Sequence, residues 1–124
     1  MGRLRVLVAD DHPAVSAAIT RLLSLDCDVV GCVADGALLL EEAQRLHPDV
    51  LLLDLNLPNV DGLEVCRQIT DACPEIKVIV FTAMIDPATK NKALAAGASA
   101  FVSKLAGAAD LLSALERLAA AGRP

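Results

Sequence analysis

"LRVLVADDHPA", residues 4–14, sets an apolar run directly against two neighbouring carboxylates. Residues 4–9 are apolar apart from Arg5, the composition of a strand covered on both faces. Asp10 and Asp11 stand where that strand must end, and Pro13 suits the first position of a helix. A strand running into charge and then into a helix opens a βα unit, and the pattern recurs along the chain. Apolar runs at 29–33, 50–53, 76–81 and 100–102 alternate with helical periodicities.

The helical segments carry clear punctuation. Val15, Ala18, Ile19, Leu22 and Leu23 share one face of the first. A second starts near Asp35 and must stop before His47-Pro48. A third follows the Asp61-Gly62 turn and turns Leu63, Cys66 and Ile69 inward. The fourth has Asp86 as N-cap, Pro87 behind it and Gly97 just past its end. The fifth buries Leu111, Leu115 and Leu118. Five consecutive βα units predict an α/β fold: a flavodoxin-like (βα)5 three-layer sandwich with a parallel five-stranded sheet in the order 2-1-3-4-5. The run at 29–33 contains Gly31 and suits an edge.

Ligands of such sheets bind beyond the carboxyl ends of the strands, where the strand order reverses. Asp10 and Asp11 leave the first strand at that edge and Asp54 leaves the third, its neighbour, so the three carboxylates converge. Like charges this close repel and raise a pKa unless a cation joins them. Mg²⁺, a hard ion that keeps several waters, fits such a site. Thr82 ends the fourth strand and Lys104 follows the fifth. A hydroxyl and an ammonium facing a carboxylate-bound cation are the donors a transferring phosphoryl group requires, with the remaining carboxylate as nucleophile. Each residue alone has a plainer explanation (a helix cap for Asp11, a strand residue for Thr82, a solvated Lys104). Joint placement at the ends of strands one, three, four and five is what favours a site.

Composition narrows the alternatives. At 124 residues the chain is a single domain, 1–124, with a core of Leu, Val, Ile and Ala, since Phe81 and Phe101 are its only aromatics. A net charge of -5 disfavours direct contact with nucleic acid. No apolar run approaches the ~20 residues of a membrane span, and no signal peptide opens the chain, so the expected compartment is cytoplasmic. Cys27, Cys32, Cys66 and Cys73 lack C-x-x-C spacing, and Cys66 reads as a small core residue rather than a zinc ligand or half of a disulfide.

The segments "VLVADDHPAV", "DVLLLDLNLPNVDGLEV", "VIVFTA" and "AAGASAFVSK" together resemble the receiver domain of two-component response regulators, over nearly the whole chain. The resemblance implies that Asp54 accepts a phosphoryl group from the phosphohistidine of a sensor histidine kinase. It implies Mg²⁺ ligation by Asp11, Asp54 and the backbone carbonyl of Asn56, with Asp10 acting through water. Thr82 would be the switch hydroxyl, Phe101 the switch aromatic and Lys104 the family's lysine. "ADDHPAV", with Leu105 rather than proline after Lys104, is similar to regulators that carry a LuxR-type DNA-binding helix-turn-helix. No such domain follows here, which suits an excised or a stand-alone receiver.

Phosphorylation would draw Thr82 toward the site, let Phe101 swing inward, and change the surface of the fourth helix, fifth strand and fifth helix. The fourth helix has Leu94 as its only large apolar residue, so shifting it costs little. A homodimer is expected through that surface or through the first and fifth helices, where Leu112 lies off the buried stripe. The resemblance also implies that residues beside the site, here Asn56 and Met84, set the rate of self-dephosphorylation; Met84 cannot orient a water by hydrogen bonding, which predicts a phosphoryl group that is not unusually short-lived. Three other functions compete. A flavin binder would need a Gly- and Ser/Thr-rich phosphate loop in place of "DDHPAV". A phosphatase of the haloacid dehalogenase type would need an Asp where Asn56 stands. A pseudo-receiver, serving only as a protein-interaction module, would normally have lost an acid or the lysine.

Overall fold

The computed structural model describes residues 3–83 and 86–121. Its elements run β1 (Leu4–Ala9), α1 (Pro13–Leu23), β2 (Cys27–Val33), a 3₁₀ turn (Gly36–Leu38), α2 (Leu39–Leu46), β3 (Val50–Leu53), α3 (Gly62–Ala72), β4 (Lys77–Thr82), α4 (Pro87–Ala95), β5 (Ala100–Ser103) and α5 (Ala108–Ala121). The strands form one parallel sheet in the order β2-β1-β3-β4-β5. That is the expected flavodoxin-like order, with β2 at an edge.

Alternation along the strands divides the core in two. Leu7, Ala9, Leu51, Leu53, Val78 and Val80 face α2, α3 and α4. Val6, Val8, Val50, Leu52 and Ile79 face α1 and α5. Burying each such side chain stabilises the fold by about 1.5–3 kcal/mol, so the three central strands dominate. Arg5, the one charge in the opening run, sits at the strand's start. Its backbone N–H donates to Asp49 Oδ2 at 2.8 Å and its guanidinium to the His47 carbonyl at 2.7 Å, tying β1 to the turn before β3.

Several boundaries differ from expectation. β2 starts two residues early, at Cys27, because Cys27 and Asp28 pair with Leu4 and Arg5. Its register then shifts, leaving Val30 unmatched between the Val6–Val29 and Leu7–Gly31 pairs. Ile76 is buried but precedes β4: its N–H closes a turn on the Cys73 carbonyl. In α1, Ser16 takes an inward position and Ala18 is exposed, with the Ser16 hydroxyl donating to the Asp10 carbonyl at 3.3 Å. The second helix begins as a 3₁₀ turn capped by Asp35, which accepts the Ala37 N–H.

The N-cap expected of Asp86 is present, and the Asp61-Gly62 turn supplies a cap to α3 as well. Asp61 accepts the N–H groups of Leu63 and Glu64, and Asp86 that of Thr89. Helix α4 is the weakly held element. Ala93 is its one buried residue, and Leu94 is 42% exposed rather than seated in the core. The end of α4 is nevertheless clamped. Thr70 Oγ1, on α3, donates to the Ala96 carbonyl at 2.9 Å, and Gly97 turns away at φ +106°. A Cβ on Gly97 would lie 2.6 Å from Thr70 Oγ1, so only glycine fits that close approach.

Candidate functional site

Asp10 follows the last residue of β1 and Asp54 the last residue of β3. Their backbone N–H groups still bond to Val33 and Ala9, which carries both carboxylates to the sheet's carboxyl edge in fixed positions. Both are almost fully buried, at 4% and 3% exposure. Burying two carboxylates side by side is costly unless each finds a partner. The partner is Lys104, whose Nζ donates to Asp54 Oδ2 at 2.8 Å and to Asp10 Oδ2. Lys104 is held in turn by its backbone N–H, which donates to the Thr82 carbonyl at 2.9 Å. Sequence reasoning required a cation to join the acids; within the protein that cation is the ammonium of Lys104.

The electrostatics follow. Burial alone would raise the Asp10 pKa, but the Lys104 hydrogen bond and the His12 backbone N–H outweigh it, and the carboxyl lies below its usual range. Burial would likewise lower Lys104, yet its bonds to Asp10 and Asp54 hold the ammonium above its usual value. Asp10 and Lys104 are thus charged together across the neutral range. The remaining oxygen of Asp54, Oδ1, accepts the Asn56 backbone N–H at 3.0 Å.

Asp11 completes the group. Its carboxylate reaches within 4.8 Å of ligand atoms on Asp10, His12 and Asp54. Asp11 Oδ1 is shielded from solvent and no hydrogen bond is directed at it, although His12 Nδ1 stands 3.1 Å away. That nitrogen is also 3.0 Å from Asp10 Oδ1, and one Nδ1 hydrogen serves one acceptor well. Three carboxylates against one ammonium leave a formal charge of -2, and a buried oxygen lacking a donor fits a small divalent cation with oxygen ligands.

Five of the expected residues therefore meet: Asp10, Asp11, Asp54, Lys104 and the backbone of Asn56; Thr82, expected through its hydroxyl, is joined to Lys104 by its backbone carbonyl. Thr82 is fully buried at the end of β4, in register with Ser103. Phe101 lies two residues before Ser103, half-buried and packed against the core on the α2–α3–α4 side, so it belongs to the layer behind the site. Met84 lies outside the described residues. Sequence reasoning passed over His12, although it sits inside the opening stretch, and Phe81, whose ring centre is 6.0 Å from Lys104 Nζ.

Comparison with known proteins decides what this arrangement belongs to. The response regulator receiver domain family matches residues 6–116. The chain belongs to that family. The response regulator GacA of Pseudomonas viridiflava is 40% identical over 123 residues, covering 97% of this chain and 56% of the relative. The chain thus spans about half the length of the curated relatives it matches. A two-component response regulator of the LuxR family from Aurantimonas sp. SI85-9A1 superposes with a TM-score of 0.89 at 32% identity, covering 96% of this chain and 87% of the other. The BeF3-activated DrrB receiver domain gives 0.84 at 28% identity, covering 95% and 97%.

Receiver domains are phosphoacceptor signalling domains of two-component systems, not enzymes that turn over a small substrate, and as a family they bind Mg²⁺ at an acidic pocket. The flavin-binder and dehalogenase-type readings end with this match. Among the described residues, no helix is long and apolar enough to cross a membrane.

Proposed function

We propose that Asp54 is the phosphoacceptor of this receiver and takes its phosphoryl group from the phosphohistidine of a sensor histidine kinase. The observation that carries the reading is the meeting of Asp10, Asp11 and Asp54 beneath Lys104 Nζ, with one buried Asp11 oxygen lacking a hydrogen bond. A carboxylate oxygen of Asp54 attacks phosphorus. The O–P bond forms as the P–N bond of phosphohistidine breaks, and the imidazole leaves with its electron pair.

Phosphoryl transfer needs in-line positioning and neutralisation of the equatorial oxygens. The Asn56 N–H and Lys104 aim the Asp54 carboxylate. Lys104 can turn one ammonium hydrogen from Asp54 to an incoming phosphoryl oxygen while still bonded to Asp10. The Thr82 hydroxyl binds a second oxygen. Asp11, Asp54 and the Asn56 carbonyl would hold Mg²⁺, with Asp10 acting through water, and the ion would supply positive charge opposite the phosphoryl oxygens.

The added charge and acceptor atoms then pull Thr82 toward Asp54. Space opens behind β4 for Phe101, and the α4–β5–α5 surface changes. Helix α4, with one buried residue, yields first. The signal passes to an output, transcription in LuxR-type regulators, through a homodimer across α4–β5–α5 or α1–α5, in the cytoplasm. The domain catalyses its own phosphorylation and dephosphorylation, and Met84, whose side chain cannot orient a water by hydrogen bonding, gives a phosphoryl group that outlasts seconds. A pseudo-receiver, the competing reading, has no use for an intact Asp10–Lys104–Asp54 cluster.

Incubation with acetyl phosphate and Mg²⁺, followed by intact-mass measurement, tests the central step without a kinase. The wild-type protein should gain one phosphoryl group and Asp54→Asn none. Equal gain by both would refute the assignment.

A further inference from the structure

The loop of residues 55–61 joins β3 to α3, and its far half is held by a segment that does not neighbour β3 in the sheet. β1 lies between β2 and β3, yet the turn leaving β2 reaches across to this loop. Asn59 Nδ2 donates to Asp35 Oδ1 at 3.1 Å, and the Gly36 N–H donates to the Pro58 carbonyl at 3.2 Å. Val60 packs so closely that a Cβ on Gly36 would lie 2.1 Å from its Cγ2. Asn59 is left-handed at φ +70°, a conformation that asparagine adopts more readily than most residues. Its donated bond holds the Asp35 carboxyl below the usual range.

The same turn serves the first strand as well. Two residues before Asp35, the Val33 carbonyl accepts the Asp10 N–H at 3.0 Å. Residues 33–36 thus bracket the exits of both β1 and β3. Within the loop, Leu55 and Leu57 sink into the core and set its depth. Asn56 between them is exposed, and its N–H donates to Asp54 Oδ1 at 3.0 Å. The sideways position of that N–H rests on residues 58–60. We propose that Asp35 and Asn59 are positioning residues for phosphoryl transfer: their bond holds the loop so that the Asn56 N–H keeps the Asp54 carboxylate aimed at phosphorus. The inference rests on Asp54 being the phosphoacceptor. Neither side chain touches a reacting atom, and a small misplacement set by a remote residue is enough to slow an in-line attack. Because the latch aims the nucleophile and does not bind the phosphodonor, its loss lowers the maximal rate and spares donor affinity.

Initial rates of phosphorylation over a range of acetyl phosphate, in excess Mg²⁺, acid-quenched and read by intact mass, test the latch. Asn59→Gly keeps the left-handed backbone and deletes the amide, whereas Asn59→Asp sets two carboxylates against each other. Both should lower the maximal rate by about threefold to tenfold while the half-saturating acetyl phosphate concentration stays unchanged. The reciprocal exchange, Asp35→Asn with Asn59→Asp, again pairs one amide with one carboxylate and should return the rate to within about twofold of the wild type. Should the glycine variant fail to fold, Asn59→Asp and the exchange carry the comparison. A wild-type maximal rate in Asn59→Gly, whatever its melting temperature, overturns the positioning role and leaves the bond a purely structural one. A change confined to the half-saturating concentration, or an exchange that recovers nothing, overturns it too. Failure of the wild type to gain a phosphoryl group, or equal gain by Asp54→Asn, removes the phosphoacceptor reading and the positioning role together.

Discussion

Replacing Lys104 with methionine keeps the length and bulk of the side chain and removes its charge. Asp10 and Asp54 would then face each other, both nearly fully buried, with Asp11 alongside and no ammonium between them. Removing one partner from a buried ion pair destabilises a protein by about 3–5 kcal/mol. Unfolding entropy of about 2.1 cal/mol/K per residue comes to roughly 0.26 kcal/mol/K for 124 residues. The predicted loss is therefore about 12–19 °C in melting temperature, in chelator at neutral pH. Two features mark the cause as electrostatic. The variant should recover part of its deficit on mild acidification, because one carboxylate can take a proton. It should also gain more than the wild type from millimolar Mg²⁺, which replaces the missing positive charge. Thermal melts followed by circular dichroism give all three comparisons. A Lys104→Met protein melting within about 3 °C of the wild type without divalent ions, less than 1 kcal/mol, would show that Lys104 does not hold the acids together.

The same pair sets limits on pH. Asp10 is depressed below its usual 3.8, so its contribution is complete above that value and is lost as pH falls through the lower, folded-state value. Lys104 is raised above 10.5, so its contribution is complete below that value and is lost as pH climbs through the higher one. The urea-midpoint gap between wild type and Lys104→Met should be widest between these limits and narrow on the alkaline side as the wild-type lysine deprotonates. Gly97→Ala should cost about 1–3 kcal/mol, since φ is +106° and the new Cβ would press on Thr70; an unchanged urea midpoint would contradict that packing. Of the four thiols, Cys32 is exposed and the others are buried, with burial pushing Cys66 up to about 11. Ellman's reagent at pH 8 should therefore titrate one thiol quickly, and Cys32→Ser should remove that phase.

Strand ends were legible in the chain because a parallel sheet leaves few places for charge. Asp10, Asp54, Thr82 and Lys104 each stop an apolar run, and the strand order alone brings them together. Their pairing was not legible. Lys104 lies 94 residues from Asp10, and nothing local says that an ammonium, rather than a metal alone, balances the acids. Helix α1 misled in a different way. Counting apolar residues turns Ala18 inward, whereas Ser16 is inside because its hydroxyl bonds the Asp10 carbonyl. Asp28 concealed the start of β2, since a charge at a sheet edge can sit in solvent beside Arg3 while its backbone pairs. The aim of the His12 ring was beyond any pattern, being set by one rotamer at a cap.

The clamp on α4 makes that helix unequal along its length. Thr70 and Gly97 pin its last turn to α3, whereas its opening turn relies on the local Asp86–Thr89 cap. Fluctuations must therefore grow toward Asp86, the end that follows Thr82 most closely in the chain. Amide exchange along α4 should be graded, fast at the start and slow at the finish. Sequence variation at Thr70 would then alter the amplitude of the whole swing from a point remote from the acids.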